Sequence, residues 1–193
     1  LSPASFYAYS KIESEIELLR ISDKNFGPTI LRFATLFGKS FRPRLDLVVN
    51  LFTAQGIKKG EITVFGGNQW RPFLHTNDAA DAIIKVLESP LSQVAGQIFN
   101  VGSEKLNMTI LEMAKKVGKT LPNISIKQEP EKGDPRNYKV SFKKIRKSLG
   151  FKAKITIEQG VLEMARDFKK GSFYNFGRKL TNSSSKSLNL LFE

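Results

Sequence analysis

An α/β fold with mostly parallel strands is expected for this chain, on three observations. Short apolar runs alternate with helical stretches along the sequence, the order that builds strand–helix–strand units. Two capping boxes, Thr109 with Glu112 and Thr156 with Gln159, announce helices in the second half. Glycines close several of the segments, as Gly60, Gly66-Gly67, Gly102 and Gly150 do.

The elements follow in order. Ser5 to about Ser22 predicts a helix, with Ser5 as its N-cap and Ile12, Ile16 and Leu19 at i, i+4, i+7. Thr29 to Phe33, after Gly27-Pro28, predicts a buried strand. Lys39 to Leu45 reads as a basic, proline-containing loop, and Asp46 to Lys59 as a second helix closed by Gly60. Ile62 to Phe65 is a strand. Asn77 or Asp78 is expected to cap a helix running to Glu88, stopped by Pro90. Gln97 to Val101 is a further strand, and Thr109 opens a helix reaching about Val117. Ile124 to Lys127 reads as a short strand and Glu129 to Asn137 as a polar loop. Ser141 should start a basic helix ending at Gly150, and Thr156 a last helix ending before Gly171. The Ser- and Asn-rich tail from Thr181 is expected to be mobile.

Composition excludes whole classes of function. The chain has 193 residues, 40% apolar, enough for a core. It has no cysteine and a single histidine, which removes disulfide frameworks, iron–sulfur clusters, thiol nucleophiles and multi-histidine zinc sites. No metal site is expected. No apolar run reaches the ~18–20 residues of a membrane span. Glu13, Glu15 and Glu17 lie where a signal peptide would be apolar. A cytoplasmic protein without a membrane partner is the expectation. The net charge is +13, yet Lys139 to Lys154 alone holds seven basic residues and no acid. Of the 31 basic residues 22 are lysine, which fits a solvated face better than a nucleic-acid interface.

Among residues able to carry chemistry, Tyr7 and Lys11 come first. At i and i+4 they share one helix face. A phenol ionises near ~10, and an ammonium one turn away favours its phenolate. The spacing alone fits a helix surface equally well. His75, between Phe73-Leu74 and a helix start, reads as structural. Asp78 and Asp81 read as helix caps or dipole partners. Trp70 beside Arg71 fits either a packed aromatic or a stacking surface for a base.

The order of the motifs adds to this. Pro3, Tyr7, Ser10 and Lys11 precede Leu31-Arg32-Phe33 and Leu36-Phe37-Gly38. Ile62 to Gly66, Gln69 to Asp78, Phe99 to Gly102, Asp134-Pro135-Arg136 and Leu149-Gly150-Phe151 follow. This ordered set resembles the C-terminal part of the extended short-chain dehydrogenase/reductase family, specifically its NAD-dependent sugar-nucleotide epimerases and dehydratases. The resemblance runs from Ser2 to about Gly171. It implies an incomplete doubly wound, Rossmann-like parallel sheet plus a smaller C-terminal α/β substrate-binding lobe. Residues 1–45 would belong to the dinucleotide-binding domain, 46–171 mainly to the substrate lobe, and 172–193 to the tail.

The resemblance also implies roles. Tyr7 matches the family's catalytic base, which takes a sugar hydroxyl proton while hydride passes to NAD or NADP. Lys11 matches the residue that holds the nicotinamide ribose and lowers the tyrosine pKa, so both residues would also bind cofactor. Arg71 and Arg136 match arginines that reach the nucleotide-sugar ribose or diphosphate, a task suited to planar guanidinium forks. Thr35 stands where relatives usually carry asparagine near the phosphates. Asn50 begins a segment contacting the nucleotide, and Val64 and Phe65 lie in the strand set against the base. A nucleotide-diphosphate sugar is the implied partner, and family members often form homodimers through the Tyr/Lys helix.

Departures from the family are plain. Lys39 stands where proline usually follows the glycine, and Pro72 where aspartate often follows the arginine. No G-x-x-G-x-x-G or G-x-G-x-x-G occurs among the 14 glycines, although the family places that turn on the dinucleotide pyrophosphate. Truncation ahead of Leu1 is the simplest expectation. It would leave an open strand edge near Thr29 to Phe33, and hence a chain that self-associates or needs its other half. Two other readings stay open: a catalytically inactive nucleotide-sugar-binding remnant, and a basic nucleic-acid-binding protein.

Overall fold

Parallel strand pairs, expected from the alternation of apolar runs and helices, are the main feature of the chain. The computed structural model describes residues 5–40, 44–132 and 136–170. Pro3, Phe41, Asp134, Pro135 and the tail from Thr181 lie outside them. The first helix, α1 (Phe6–Arg20), is capped as expected by Ser5, whose hydroxyl accepts from the Ala8 N–H. Its apolar positions do not enter a core. No residue of α1 is buried, and Phe6, Tyr9 and Ile16 stand exposed.

Strand β1 (Ile30–Phe33) runs parallel to β5 (Ile98–Val101), with Ile30 opposite Ile98 and Phe33 opposite Val101. Among the described residues β5 is its only strand partner. Beyond Ala34 the chain enters β2 (Thr35–Phe37), which pairs in parallel with β4 (Trp70–His75). The other flank of β4 pairs antiparallel with β6 (Asn107–Thr109). A third pair joins β3 (Glu61–Phe65) to β7 (Ser125–Glu129) in parallel.

Strands β2, β4 and β6 were not foreseen, and two are only three residues long. Proline within β4 argues against a central strand. The register explains its tolerance. Thr35 pairs with Phe73, one residue past Pro72, so the parallel ladder starts only after the proline. Upstream, that flank of β4 is met by an irregular segment, with the Tyr138 N–H donating to the Trp70 carbonyl at 3.2 Å.

Helix α2 (Val48–Lys59) ends at Gly60 in a left-handed conformation, as the sequence suggested. Helix α3 (Thr76–Leu87) corrects an expectation. Its N-cap is neither Asn77 nor Asp78 but His75, whose Nδ1 accepts from the Asn77 N–H at 3.2 Å. Because Nδ1 accepts, Nε2 carries the hydrogen and donates to Glu163 at 2.9 Å. His75 is thus buried and satisfied, the structural role expected of it. Asp78 does not serve as a simple cap. It is 1% exposed and accepts from the backbone N–H groups of Lys154 and Ile155 at 2.9 and 3.0 Å.

A short α4 (Leu91–Val94) precedes β5. Helices α5 (Ile110–Thr120) and α7 (Ile157–Lys169) both open on the expected capping boxes. Between them α6 (Lys143–Leu149) begins two residues later than the sequence suggested, after Phe142, and ends at a left-handed Gly150. One core cluster joins α2, α5 and α7 to β3 around Phe37, Phe73 and Met113. A second gathers Leu74, Phe99, Phe142 and Ile145 beside β1 and β5. Gly38 sits between β2 and the loop before α2 with φ +106°. A Cβ there would lie 2.3 Å from His75 Nε2, so only glycine fits.

Candidate functional site

Tyr7 and Lys11 lie one turn apart on α1, and the Lys11 ammonium is 5.5 Å from the Tyr7 ring centroid. Tyr7 is 71% exposed, so its phenol is open to a ligand rather than committed to the fold. The helix that carries them is tied to β1 by an ion pair. Arg32 Nε donates to both Glu15 oxygens at 3.0 Å, and Nη2 donates to Glu15 as well. The Glu15 carboxylate holds the Arg32 guanidinium above its ordinary ionisation range.

Arg44 was not singled out from the sequence beyond its place in a basic loop. It pairs with Asp46 at 2.6 Å, and that carboxylate is the main cause of its raised pKa. Tyr7 is a smaller contributor to that shift. Asp46 is lowered in turn, first by the hydrogen bond from Arg44. A depressed carboxylate adds stability that is complete above the unfolded pKa and lost as pH falls through the folded one. An NMR titration of Asp46 should therefore show a midpoint below that of an ordinary aspartate, returning toward it in Arg44→Gln. An unchanged midpoint in that variant would refute the pairing.

The other candidate residues sit in different settings. Thr35 is half-buried at the start of β2. Asn50 is 3% exposed and used by the fold: its Oδ1 accepts from the Gly38 N–H at 3.2 Å, and its Nδ2 donates to the Arg44 carbonyl at 3.1 Å. Asn50 thereby fixes the loop that carries Arg44. Val64 is fully buried in the core beneath β3, whereas the neighbouring Phe65 is 45% exposed and presents a flat apolar face. Alternation along the strand accounts for the difference.

Arg71 and Arg136 are brought together, with the Arg71 guanidinium buried. Its Nη1 donates to the Trp70 carbonyl at 2.9 Å and to the Arg136 carbonyl, and its Cζ lies 5.4 Å from the Tyr138 ring centroid. Arg136 itself is exposed. Next to them the Lys139 ammonium rests 3.5 Å from the centroid of the Trp70 ring. Trp70 thus has a cation on its face, a contact the sequence did not reveal because its partner is remote in the chain. A cavity of about 410 Å³ opens beneath this segment, with Arg32, Phe33, Pro72, Asn100, Tyr138 and Lys139 in its walls. No group of three or more potential metal ligands occurs among the described residues. None of the described helices is long and apolar enough to cross a membrane.

Residues 1–102 match the family model described as the NAD dependent epimerase/dehydratase family. The chain belongs to the NAD-dependent epimerase/dehydratase family. The matched part contains α1 with Tyr7 and Lys11, the β2–β4 pair and Arg71, so the family expected from the motif order is borne out. UDP-glucuronic acid decarboxylase 2 of Arabidopsis thaliana is 32% identical over 150 residues, covering 74% of this chain and 32% of that protein. The chain therefore spans about a third of that relative's length.

Two solved structures share the fold. An epimerase from Methanothermobacter thermautotrophicus superposes with a TM-score of 0.77 at 18% identity, over 93% of this chain and 54% of that one. A dTDP-glucose 4,6-dehydratase from Streptomyces venezuelae, solved with NAD bound, gives 0.74 at 22% identity, over 90% and 54%. The α/β architecture with parallel strands is thus shared with both.

Proposed function

We propose that this chain is the Tyr/Lys-bearing and substrate-binding portion of an enzyme acting on a nucleotide-diphosphate sugar. The observation that carries this reading is the open Tyr7–Lys11 pair on α1, in a chain whose first 102 residues match the family. Tyr7 takes the proton of a sugar hydroxyl. Lys11 stabilises the phenolate that accepts this proton and becomes the neutral phenol, and Arg44 adds positive potential from the loop before α2.

Nicotinamide dinucleotide, when bound, supplies the hydride acceptor. An exposed phenol and an ammonium one turn away suit its ribose end, and we assign the pyrophosphate end to no residue of this chain. Arg136 and Arg71 bind the substrate diphosphate. Arg71 acts from beneath, holding the Arg136 backbone against which the phosphates would lie. Phe65 covers the nucleobase, while Thr35 lies toward the phosphates. Asn50 acts by holding the Arg44 loop, and Val64 by supporting Phe65 from beneath. The decarboxylase named among the relatives makes a UDP-uronic acid the first substrate to try.

The test is turnover by the protein as its native source makes it, with NAD and, in turn, UDP-glucuronic acid, UDP-glucose and dTDP-glucose, read by mass spectrometry. Conversion of one of these supports the reading. Tight binding of a sugar nucleotide with no conversion would replace it with a binding-only role.

A further inference from the structure

We propose that the Glu15–Arg32 pair is the positioning device of the Tyr/Lys helix, a role that rests on Tyr7 being the base. Tyr7, Lys11 and Glu15 fall at i, i+4 and i+8, so all three lie along one face of α1. That helix buries no residue. Its apolar residues Ala8, Ile12 and Leu19 are only half-buried, so apolar packing within the described chain holds its rotation and its height above the sheet weakly.

The Arg32–Glu15 contact supplies what packing does not. Two guanidinium nitrogens engage one carboxylate, which fixes direction as well as distance. The side chains are 33% and 17% exposed. The other arginine–carboxylate pairs described are more open: Arg20–Glu17 at 69% and 56%, Arg44–Asp46 at 60% and 53%, Arg146–Glu104 at 44% and 35%. Freely solvated pairs hold geometry weakly, and this one is the most shielded of the set.

Its location gives the contact a purpose. Arg32 belongs to β1, where Asn100 of β5 is its register partner, and it forms part of the cavity wall with Phe33. Phe33 leads through Ala34 into Thr35. One guanidinium thus references the helix carrying the candidate base to the strand that leads toward the candidate phosphate contact. A displacement of about 1 Å in such a group costs on the order of a hundredfold in rate.

The experiment compares Arg32→Met, Glu15→Gln and the charge swap E15R/R32E in the protein as its source makes it. Hydrogen exchange of the α1 amides and the pH profile of kcat are measured, with NAD and the sugar nucleotide that the unaltered protein converts. Each single variant should speed α1 exchange by about tenfold and leave α5 unchanged. It should lower kcat by about a hundredfold with KM within about threefold. The acidic limb, where the phenolate base becomes protonated, should move to higher pH, because the Tyr7–Lys11 pair no longer keeps its relation to the bound ligand. The swap should restore part of both properties.

Unaltered α1 exchange in the single variants would overturn the proposal. So would a fall in kcat that is uniform across pH, the mark of lost folded protein alone. If the unaltered protein converts no sugar nucleotide while the single variants still loosen α1, the hold on the helix stands and only the functional reading falls.

Discussion

Replacing Tyr7 by phenylalanine is expected to lower kcat by about 10²–10⁴ while leaving sugar-nucleotide affinity nearly unchanged. The substitution removes one oxygen from a side chain that is 71% exposed and anchors nothing in the core, so stability should not move measurably. Affinity should persist because the diphosphate contacts are assigned to Arg71 and Arg136, on other elements. Steady-state kinetics and a thermal melt on the same preparation check both halves. Full activity in the phenylalanine variant would remove Tyr7 as the base. A large loss of stability would show that the hydroxyl supports the fold instead.

The largest effect on stability is expected at Asp78. Its carboxylate accepts from two backbone N–H groups, on Lys154 and Ile155, at 2.9 and 3.0 Å, and it is 1% exposed. Asp78→Ala leaves both donors without that acceptor in a part-buried setting. Unmet buried donors cost about 1–3 kcal/mol each, and for two part-buried donors the loss is placed at about 2–4 kcal/mol. Asp78→Asn retains one acceptor oxygen and should recover part of it. Urea unfolding of the three proteins measures the difference, and a loss under about 1 kcal/mol for alanine would contradict the assigned role.

These cases show which parts of the molecule could be read in advance. Local signals were legible because both partners lie within four residues. Ser5, the Thr109–Glu112 and Thr156–Gln159 boxes, and the left-handed Gly60 and Gly150 all act where the sequence places them. Features with remote partners were not. Asp78 looked like a cap because helix starts favour aspartate, yet its donors lie 76 and 77 residues away. The actual cap, His75, belongs to a residue type that rarely caps, and only the fold brings Glu163 to its other nitrogen. Strand β4 was hidden by Pro72, whose missing N–H matters less where the parallel ladder has not begun.

The candidate site divides in the same way. Tyr7 and Lys11 were visible as a spacing, and the motif order supplied Arg71 and Arg136. That Asn50 is spent on the Gly38 turn and on the backbone of the loop carrying Arg44 followed only from packing between α2 and the loop before it. Val64 and Phe65 show the limit of a motif. Two adjacent strand residues must face opposite ways, so no more than one can touch a given ligand face.

The two apolar clusters are interwoven along the chain. Ala34 serves one, Phe37 to Phe73 the other, Leu74 to Val101 the first again, Met113 to Leu121 the second, Phe142 to Phe151 the first, and Ile157 to Phe168 the second. No excised stretch of sequence carries one cluster whole without residues of the other. A gene split or a protease nick between Phe37 and Phe151 divides both clusters at once, and exchanging either cluster between relatives requires several junctions rather than one.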